Sequence, residues 1–343
     1  MNKNIMIIVY GGFWIGMGHV VRMKLLAKEL LQKGYRIFFY TNEPVCIELL
    51  SYPDWFVHLV PSKGNQAYFN RAIEMVQPDL LIIDVLEFDL TLLNVMKSSC
   101  RDGKIVLFEE KREDAWKLAD VVINGIYGGF QNDHVHDNGL EHFNGTPYLL
   151  LENELRHLKE KYEVHKECRK VVVSLGGSDP SGLLEKVTSA LKSADHLDVI
   201  AVAGSASRFN EDLSDAQHIQ LLRHTTHLPL LLFEADLALI AGGVTLYEAI
   251  CIGVPSIVLS QVEHQTETAA MFAKKGACLH LGLGANVDEK DILQAVEKLS
   301  NSYFLRKSIH LNGRTLIDGK GLERVQNILI HLMNPYQKEH KDV

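Results

Sequence analysis

Residues 5–22 read IMIIVYGGFWIGMGHVVR and decide the fold class of the chain. The continuous apolar run at residues 5–10 predicts a β-strand that is buried on both faces. A glycine-rich turn that includes Gly16 and Gly18 follows it and leads into a segment of helical period at residues 19–32. A strand, a glycine turn and a helix in this order are typical of a parallel α/β sheet.

The same alternation continues in both halves of the chain. Further apolar runs predict strands at residues 36–41, 79–84, 104–108 and 120–124, with helices at 65–76 and 90–100. The charged stretch LENELRHLKEKYEVHKECRK at residues 151–170 interrupts the pattern, which resumes with strands at 170–175, 198–203, 236–241 and 255–260 and a helix at 322–333. We predict an α/β protein with two Rossmann-like domains and parallel sheets, at residues 1–150 and 170–320, joined by a linker at 151–169 and followed by a C-terminal helix and tail at 321–343.

Composition and charge restrict the class of protein. The 343 residues are 47% apolar and 23% charged, which is enough to bury an ordinary core. The net charge of −8 argues against nucleic acid as a partner. No uninterrupted apolar stretch is long enough to span a membrane, and the five scattered cysteines indicate neither a disulfide framework nor a thiolate zinc site. We expect a cytoplasmic protein.

The first candidate site follows the first strand. Ligands of parallel sheets bind at the carboxyl ends of the strands, so we expect a cleft between the two sheets. Gly16 and Gly18 let the backbone approach a ligand, and the helix that begins there offers free N–H groups to an anion. His19 near this helix start is kept neutral, which makes it a candidate general base. The alternative is that His19 only caps or packs the turn.

The second candidate site is AGGVTLYEA at residues 241–249, another strand-to-helix turn. Gly242 and Gly243 bring backbone N–H groups to a possible diphosphate. Glu248 lies one helical turn after Thr245, where its carboxylate could accept both hydroxyls of a ribose. The alternative is that Thr245 and Glu248 form a helix-capping box.

Two further strand ends in the second half of the chain carry polar or glycine residues. The turn at Gly176, Gly177, Ser178 and Asp179 suits a phosphate or a hinge, or is a plain turn in which Asp179 caps the next helix. The pair His264 and Gln265 begins a helix after the strand at 255–260 and either binds a ligand or lies exposed in a loop.

Carboxylates also follow two strands of the first sheet, as Asp84 and as the pair Glu109 and Glu110. They either face the cleft or cap helices. His134, His136 and His142 fit no zinc signature, so we interpret their segment as a solvated loop and predict no metal and no cofactor.

Taken together, four motifs in this order resemble a known family. They are IGMGHVVR, SLGGSD, AGGVTLYEA and HQTETAAMFAKKG, and they span roughly residues 1–280. The set resembles the UDP-sugar hydrolase of the pseudaminic acid pathway and its relatives in spore-coat polysaccharide biosynthesis. This family has the GT-B architecture, in which two Rossmann-like domains face a cleft.

The resemblance implies a site and a reaction. A UDP-sugar substrate would place its ribose on Glu248 and its diphosphate near Gly243, Val244 and Thr245. The sugar would face the first domain, where His19 would activate water for attack on the anomeric carbon, without a metal. The motifs also mark as substrate-binding positions Gly16, Gly18, Arg22, Asp84, Gly177, Ser178, His264 and Gln265. A further expectation is contact with other enzymes of polysaccharide biosynthesis.

This chain departs from the hydrolase at several positions. Leu86 stands where the hydrolase has a tyrosine, Glu109 and Glu110 replace two aspartates, and His264 replaces an asparagine. These changes favour the spore-coat branch of the family. The leading hypothesis is a UDP-sugar hydrolase. The alternatives are a GT-B glycosyltransferase, in which His19 deprotonates an acceptor hydroxyl, and a non-catalytic nucleotide-sugar binding protein.

Overall fold

The chain contains two α/β units. The computed structural model describes residues 3–12, 15–61, 66–86, 88–100, 102–126, 133–136, 139–177, 179–204, 207, 209, 216–223, 225 and 227–335. Residues 1–151 and 320–343 form the first unit, and residues 152–319 form the second unit. The stretch that we predicted as a linker therefore lies within the second unit, apart from residue 151, and the C-terminal helix lies within the first.

The first unit is built on a largely parallel sheet. Its described strands are β1 (Asn4–Val9), β2 (Arg36–Thr41), β3 (Phe56–Leu59), β4 (Leu80–Asp84), β5 (Lys104–Phe108), β6 (Val121–Asn124), β7 (His134–Val135) and β8 (Glu141–Asn144). Their order in the sheet is β3-β2-β1-β4-β5-β6-β8-β7, and β7 pairs antiparallel with β8. The helices are α1 (Gly18–Gln32), α2 (Pro44–Leu50), α3 (Gln66–Val76), α4 (Leu90–Ser99), α5 (Glu113–Trp116) and, from the end of the chain, α13 (Gly321–Met333).

Apolar residues alternate between the two faces of this sheet. Ile5, Ile7 and Val9 of β1 belong to a buried cluster with residues of α1 and α13, whereas Met6 and Ile8 belong to a second cluster with residues of α3 and α4. Because both faces are covered, the strand reads as a continuous apolar run. The last residue of each strand can then carry a polar side chain at the carboxyl edge.

The second unit has its own parallel sheet. Its described strands are β9 (Lys170–Ser174), β10 (Asp198–Ala203), β11 (Ile219–Arg223), β12 (Leu237–Ile240), β13 (Ser256–Ser260) and β14 (Leu279–Leu283), in the order β11-β10-β9-β12-β13-β14. The helices are α6 (Glu154–Lys161), α7 (Leu183–Leu191), α8 (Leu228–Glu234), α9 (Val244–Ile252), α10 (Glu263–Lys274), α11 (Glu289–Ser300) and α12 (Tyr303–Leu316). The predicted α/β class with two parallel sheets is confirmed.

The histidine segment differs from the prediction. We expected a solvated loop, but His134 lies in β7 and His142 lies in β8, where its side chain is buried against Trp116 with ring centroids 4.5 Å apart. Burial lowers the pKa of His142 to about 4, with a smaller contribution from His136 and His134. The aromatic packing explains the burial, since a neutral imidazole behaves as a largely apolar ring.

The described part of the chain contains neither a metal-binding cluster nor a membrane-spanning helix. In that part of the chain, no group of histidine, cysteine, aspartate or glutamate side chains has a geometry that could hold a metal ion. Among the same residues, no helix is both long and apolar enough to cross a membrane.

Candidate active site

The first unit brings its candidate residues together at the carboxyl edge of the sheet. Asp84 is the last residue of β4 and pairs in register with Val9, the last residue of β1. The helix α1 starts nine residues after β1, with Met17 as its N-cap residue. His19 and Arg22 are three residues apart and therefore lie on one face of α1, and both contact Asp84.

Asp84 holds both side chains of α1 by hydrogen bonds. The distance from His19 Nδ1 to Asp84 Oδ1 is 2.7 Å. Arg22 donates from Nε to Asp84 Oδ2 at 2.7 Å and from Nη2 to Asp84 Oδ1. The Asp84 side chain is fully buried, while His19 keeps 16% of its side-chain surface exposed. A ligand can therefore reach the imidazole but not the carboxylate.

The charge of Asp84 favours the tautomer of His19 that carries its proton on Nδ1. Burial alone would raise the pKa of Asp84, but Arg22 and His19 together lower it to about 2. Asp84 is therefore an anion at neutral pH and accepts at 2.7 Å from the His19 tautomer that carries its proton on Nδ1, while Arg22 Nη2 lies 3.0 Å from the same nitrogen. Nε2 of neutral His19 then carries a lone pair, which is the arrangement of a general base.

Glu109 joins this group from the next strand. It directly follows β5, which neighbours β4 in the sheet, and its Oε1 lies 3.5 Å from Arg22 Nη1. Its backbone has a φ of 53°, a left-handed conformation that is uncommon for a residue with a side chain. Glu110 is separate, because it forms a two-point ion pair with Arg112 at 2.7 and 2.9 Å.

The glycine turn before α1 is fixed by the backbone. Gly12 and Gly16 exchange two hydrogen bonds, at 2.8 and 3.2 Å, and Gly16 has a φ of +85°. Gly11 permits close packing, since a Cβ atom there would lie 2.6 Å from Val20 of α1. The turn therefore holds the start of α1, and with it His19, against the end of β1.

The second unit presents a helix start at the end of β12. Gly243 is the N-cap residue of α9, and no side chain caps this helix. The alternative of a capping box with Thr245 and Glu248 is wrong, because it would need Thr245 at the position that Gly243 occupies. The N–H groups at the start of α9 are therefore left uncapped by side chains of the described residues, as an anion site requires.

Gln265 lies beside this helix start. Its Oε1 accepts a hydrogen bond from the Gln261 backbone N–H at 2.9 Å, which orients the amide and leaves Nε2 close to Gly243. A Cβ atom at Gly242 would lie 2.9 Å from the Cβ atom of Gln265, so only glycine fits there. His264 is exposed in the first turn of α10.

The turn after β9 has the geometry of the plain-turn alternative, and a role in binding phosphate stays a prediction. Asp179 accepts hydrogen bonds from the N–H groups of Leu183 and Leu184, each at 2.9 Å, and so caps α7 as the plain-turn alternative expected. Gly176 and Gly177 are exposed at the same strand end. Ser178 lies outside the described residues.

Sequence reasoning missed Gly204, which follows β10. A Cβ atom on Gly204 would lie 2.4 Å from the carbonyl oxygen of Gly177, so this glycine allows the two strand ends to approach. A lone glycine after a strand is too common a signal to have indicated this contact.

The carboxyl group of Glu248 has a raised pKa. It lies in the second turn of α9, partly exposed, and no hydrogen-bond or ion-pair partner of its carboxylate is found among the described residues. Burial raises the pKa of Glu248 to about 7, with a smaller contribution from the carboxylate of Glu152. A carboxylate with free acceptor capacity at this place is suited to the two hydroxyls of a ribose.

Comparison with known proteins places the chain in a family. It is 40% identical over 336 residues to the spore coat polysaccharide biosynthesis protein SpsG of Bacillus subtilis, covering 96% of this chain and 97% of that protein. The chain therefore belongs to the SpsG family of spore coat polysaccharide biosynthesis proteins. A search against family models gave no match.

Solved structures agree with the fold. The chain is similar to MurG of Acinetobacter baumannii, with a TM-score of 0.69, 15% identity and coverage of 96% of this chain and 99% of that one. It is also similar to UGT2 of Phytolacca americana complexed with UDP-2-fluoro-glucose and pterostilbene, with a TM-score of 0.69, 14% identity and coverage of 96% and 99%. At this level of identity the likeness shows the GT-B fold, as predicted.

Proposed function

We propose that this protein is a glycosyltransferase that uses a UDP-sugar donor in the synthesis of a surface or spore-coat polysaccharide. The observation that carries the proposal is the His19–Asp84 pair, in which a buried carboxylate orients an accessible imidazole as a base. Membership of the SpsG family supports the polysaccharide context. The similarity to UGT2, which was solved in complex with UDP-2-fluoro-glucose and pterostilbene, supports the glycosyltransferase alternative over the hydrolase that the sequence favoured.

The donor nucleotide is assigned to the second unit. The diphosphate would accept from the uncapped N–H groups at Gly243, Val244 and Thr245, with the Gln265 amide beside them. Glu248, one turn further along α9, would accept the ribose hydroxyls. His264 at the start of α10 and the exposed Gly177 are the remaining contacts that we propose on this unit.

The chemical step is assigned to His19. Its Nε2 takes the proton of an acceptor hydroxyl while that oxygen forms a bond to the anomeric carbon of the donor. The bond from this carbon to the phosphate oxygen breaks, and UDP leaves with the electron pair. A single displacement of this kind inverts the anomeric centre. The helix start of α9 stabilises the departing negative charge, so no metal is needed.

The products of turnover test this proposal. We would first measure thermal shifts with a panel of UDP-sugars, because a ligand that binds the folded state raises the melting temperature. Donors that bind are then incubated with and without a panel of p-nitrophenyl glycosides as acceptors, and the products are identified by mass spectrometry. Transfer predicts a glycosylated acceptor. Free sugar plus UDP without acceptor would indicate a hydrolase, and binding without turnover would indicate a binding protein.

Replacement of Glu248 is expected to weaken UDP binding. The variant Glu248→Ala removes the proposed ribose acceptor, and loss of a charged hydrogen-bonding group costs roughly 1.5–3 kcal/mol, about 10- to 150-fold in Kd. Isothermal titration calorimetry with UDP measures the effect. Glu234→Ala is the matched control, because Glu234 is the last residue of α8, before the start of β12, and its side chain forms an exposed ion pair with Lys170.

The same residue also predicts how UDP affinity depends on pH. Since the pKa of Glu248 is about 7 in the free protein, the carboxylate is partly protonated at neutral pH and largely ionised above pH 8. UDP affinity should therefore fall more steeply in the wild type than in Glu248→Gln as the pH is lowered through 7. The profile of Glu248→Gln gives the part that comes from the UDP phosphate, whose second pKa is about 6. Unchanged affinity in both Glu248 variants would remove this residue from the nucleotide site.

Turnover is expected to survive chelation. The proposed step relies on His19 and on the helix start of α9, and no metal-holding group is found in the part of the chain that the structure describes. Activity measured with EDTA should equal activity measured with added Mg²⁺. Loss of activity in EDTA that Mg²⁺ or Mn²⁺ restores would contradict the metal-free mechanism.

A further inference from the structure

Arg22 weakens the support that Asp84 can give to a protonated histidine. Its guanidinium donates to both carboxylate oxygens of Asp84, through Nε at 2.7 Å and through Nη2. A carboxylate stabilises an imidazolium by its negative charge, and a cation bound to both oxygens largely cancels that charge. Asp84 and Arg22 alone would therefore place His19 next to a nearly neutral pair.

Glu109 supplies a second negative charge to this group. The third guanidinium nitrogen of Arg22, Nη1, forms an ion pair with Glu109, with an Nη1–Oε1 distance of 3.5 Å. The side chains of Arg22 and Glu109 are only 8% and 11% exposed, so water screens their interaction weakly. Arg22 thus lies between the carboxylates of Asp84 and Glu109, and the formal charges of these three side chains sum to −1.

The position of Glu109 is held by its backbone and side chain together. Its φ of 53° turns the chain at the end of β5, and its backbone N–H donates to Ile123 at 3.0 Å. The Ile126 N–H donates to the two carboxylate oxygens at 3.0 and 3.3 Å. Backbone conformations of this kind concentrate at functional sites, where the surrounding structure maintains them.

We propose that Glu109 is a positioning residue that balances Arg22 and so keeps one net negative charge around His19. This charge favours the imidazolium that forms when His19 takes a proton. The inference rests on the proposed function in treating His19 as the base. Asp84 contacts both His19 and Arg22, Arg22 also contacts Glu109, and Arg22 Nη2 lies 3.0 Å from His19 Nδ1. The neighbouring Glu110 pairs with Arg112.

The titration of His19, followed by NMR of its ring without any substrate, tests the proposal. Glu109→Gln keeps the side-chain length and a carbonyl oxygen for the Ile126 N–H but removes the charge. We expect the midpoint of His19 to fall by about 0.5 pH unit in this variant. Glu110→Gln is the matched control and should leave the titration midpoint of His19 unchanged, since the Glu110 carboxylate pairs with Arg112.

Arg22→Gln provides a change of opposite sign. Removing the cation should raise the His19 midpoint, whereas simple disruption of the site would not give shifts in opposite directions. A folded Glu109→Gln protein with the wild-type midpoint would overturn the proposal. If Glu109→Gln does not fold, the double variant Arg22→Gln/Glu109→Gln decides. Its midpoint should lie below that of Arg22→Gln, and an equal midpoint would overturn the proposal.

The result is independent of the reaction. Because the titration uses no donor or acceptor, a failure to detect transfer would leave this measurement valid. Where a donor is turned over, the acid limb of kcat/KM in Glu109→Gln should move to lower pH by the same amount, and Glu110→Gln should keep the wild-type profile.

Discussion

The variant His19→Asn is expected to lower kcat about 10²–10⁴-fold, which is the usual contribution of a general base. Asparagine keeps a polar side chain near Asp84 but lacks a basic nitrogen. UDP affinity should stay nearly unchanged, because the proposed nucleotide contacts belong to the second unit. The measurement requires steady-state kinetics with a donor that turns over and calorimetry with UDP on both proteins.

His331→Asn is the control for this substitution. His331 is an exposed residue of α13, and its replacement should leave kcat unchanged. A His19→Asn protein with wild-type kcat would remove His19 from the mechanism and make His264 the next candidate base. Loss of UDP binding in this variant would instead assign His19 to phosphate contact or to structure.

The variant Asp84→Asn is expected to lower both stability and activity. Asp84 is fully buried and accepts from Arg22 and His19, so its loss leaves the Arg22 charge poorly compensated inside the protein. Breaking a buried ion pair on one side costs about 3–5 kcal/mol of unfolding free energy. An amide at this place also no longer fixes the proton on His19 Nδ1, so kcat should fall by about 10²-fold or more.

Urea denaturation measures the loss of stability, with Asp89→Asn as the control. Asp89 is the N-cap residue of α4, and since asparagine caps helices equally well, this variant should be nearly neutral. An Asp84→Asn protein as stable as Asp89→Asn would show that the ion pair with Arg22 adds nothing to the fold.

The stability that Asp84 provides also has a defined pH range. Its pKa is about 2 in the folded protein, below the unfolded value of about 3.9. A lowered pKa stabilises the fold above the unfolded value, and this stabilisation, roughly 2–3 kcal/mol, is lost as the pH falls through about 2. The wild type should therefore lose more stability between pH 5 and pH 2 than Asp84→Asn does.

The long strands and helices could be predicted because the pattern of apolar residues in their sequences indicates which positions are buried. The strand β4 reads LLIID and is buried along its whole length, so the apolar run and its final carboxylate both follow from a sheet covered on two faces. Short elements carry no such signal. The two residues of β7 and the sequence EHFN of β8 are polar, and only their pairing next to β6 makes them strands.

The candidate site was only partly accessible from the sequence for a similar reason. The turns at Gly16 and Gly243 are local, and so the helix starts at Gly18 and Val244 could be found from spacing. The contact of Arg22 with Glu109 depends on β5 lying beside β4 in the sheet, and strand order is not encoded in any short motif. The charge balance around His19 therefore became visible only in three dimensions.

The return of α13 to the first unit affects the order in which a new chain can fold. Leu322, Val325, Leu329 and Met333 of this helix are part of the core that also contains Ile5, Ile7 and Val9, and Gln326 donates to the Glu29 carbonyl at 3.0 Å. A ribosome that adds about 5–20 residues per second needs on the order of ten seconds or more to pass from residue 151 to the start of α13. During this interval the core of the nascent first unit lacks the apolar residues of α13. The second unit, in contrast, is continuous in sequence. The half that is translated later is therefore the first whose core can be complete.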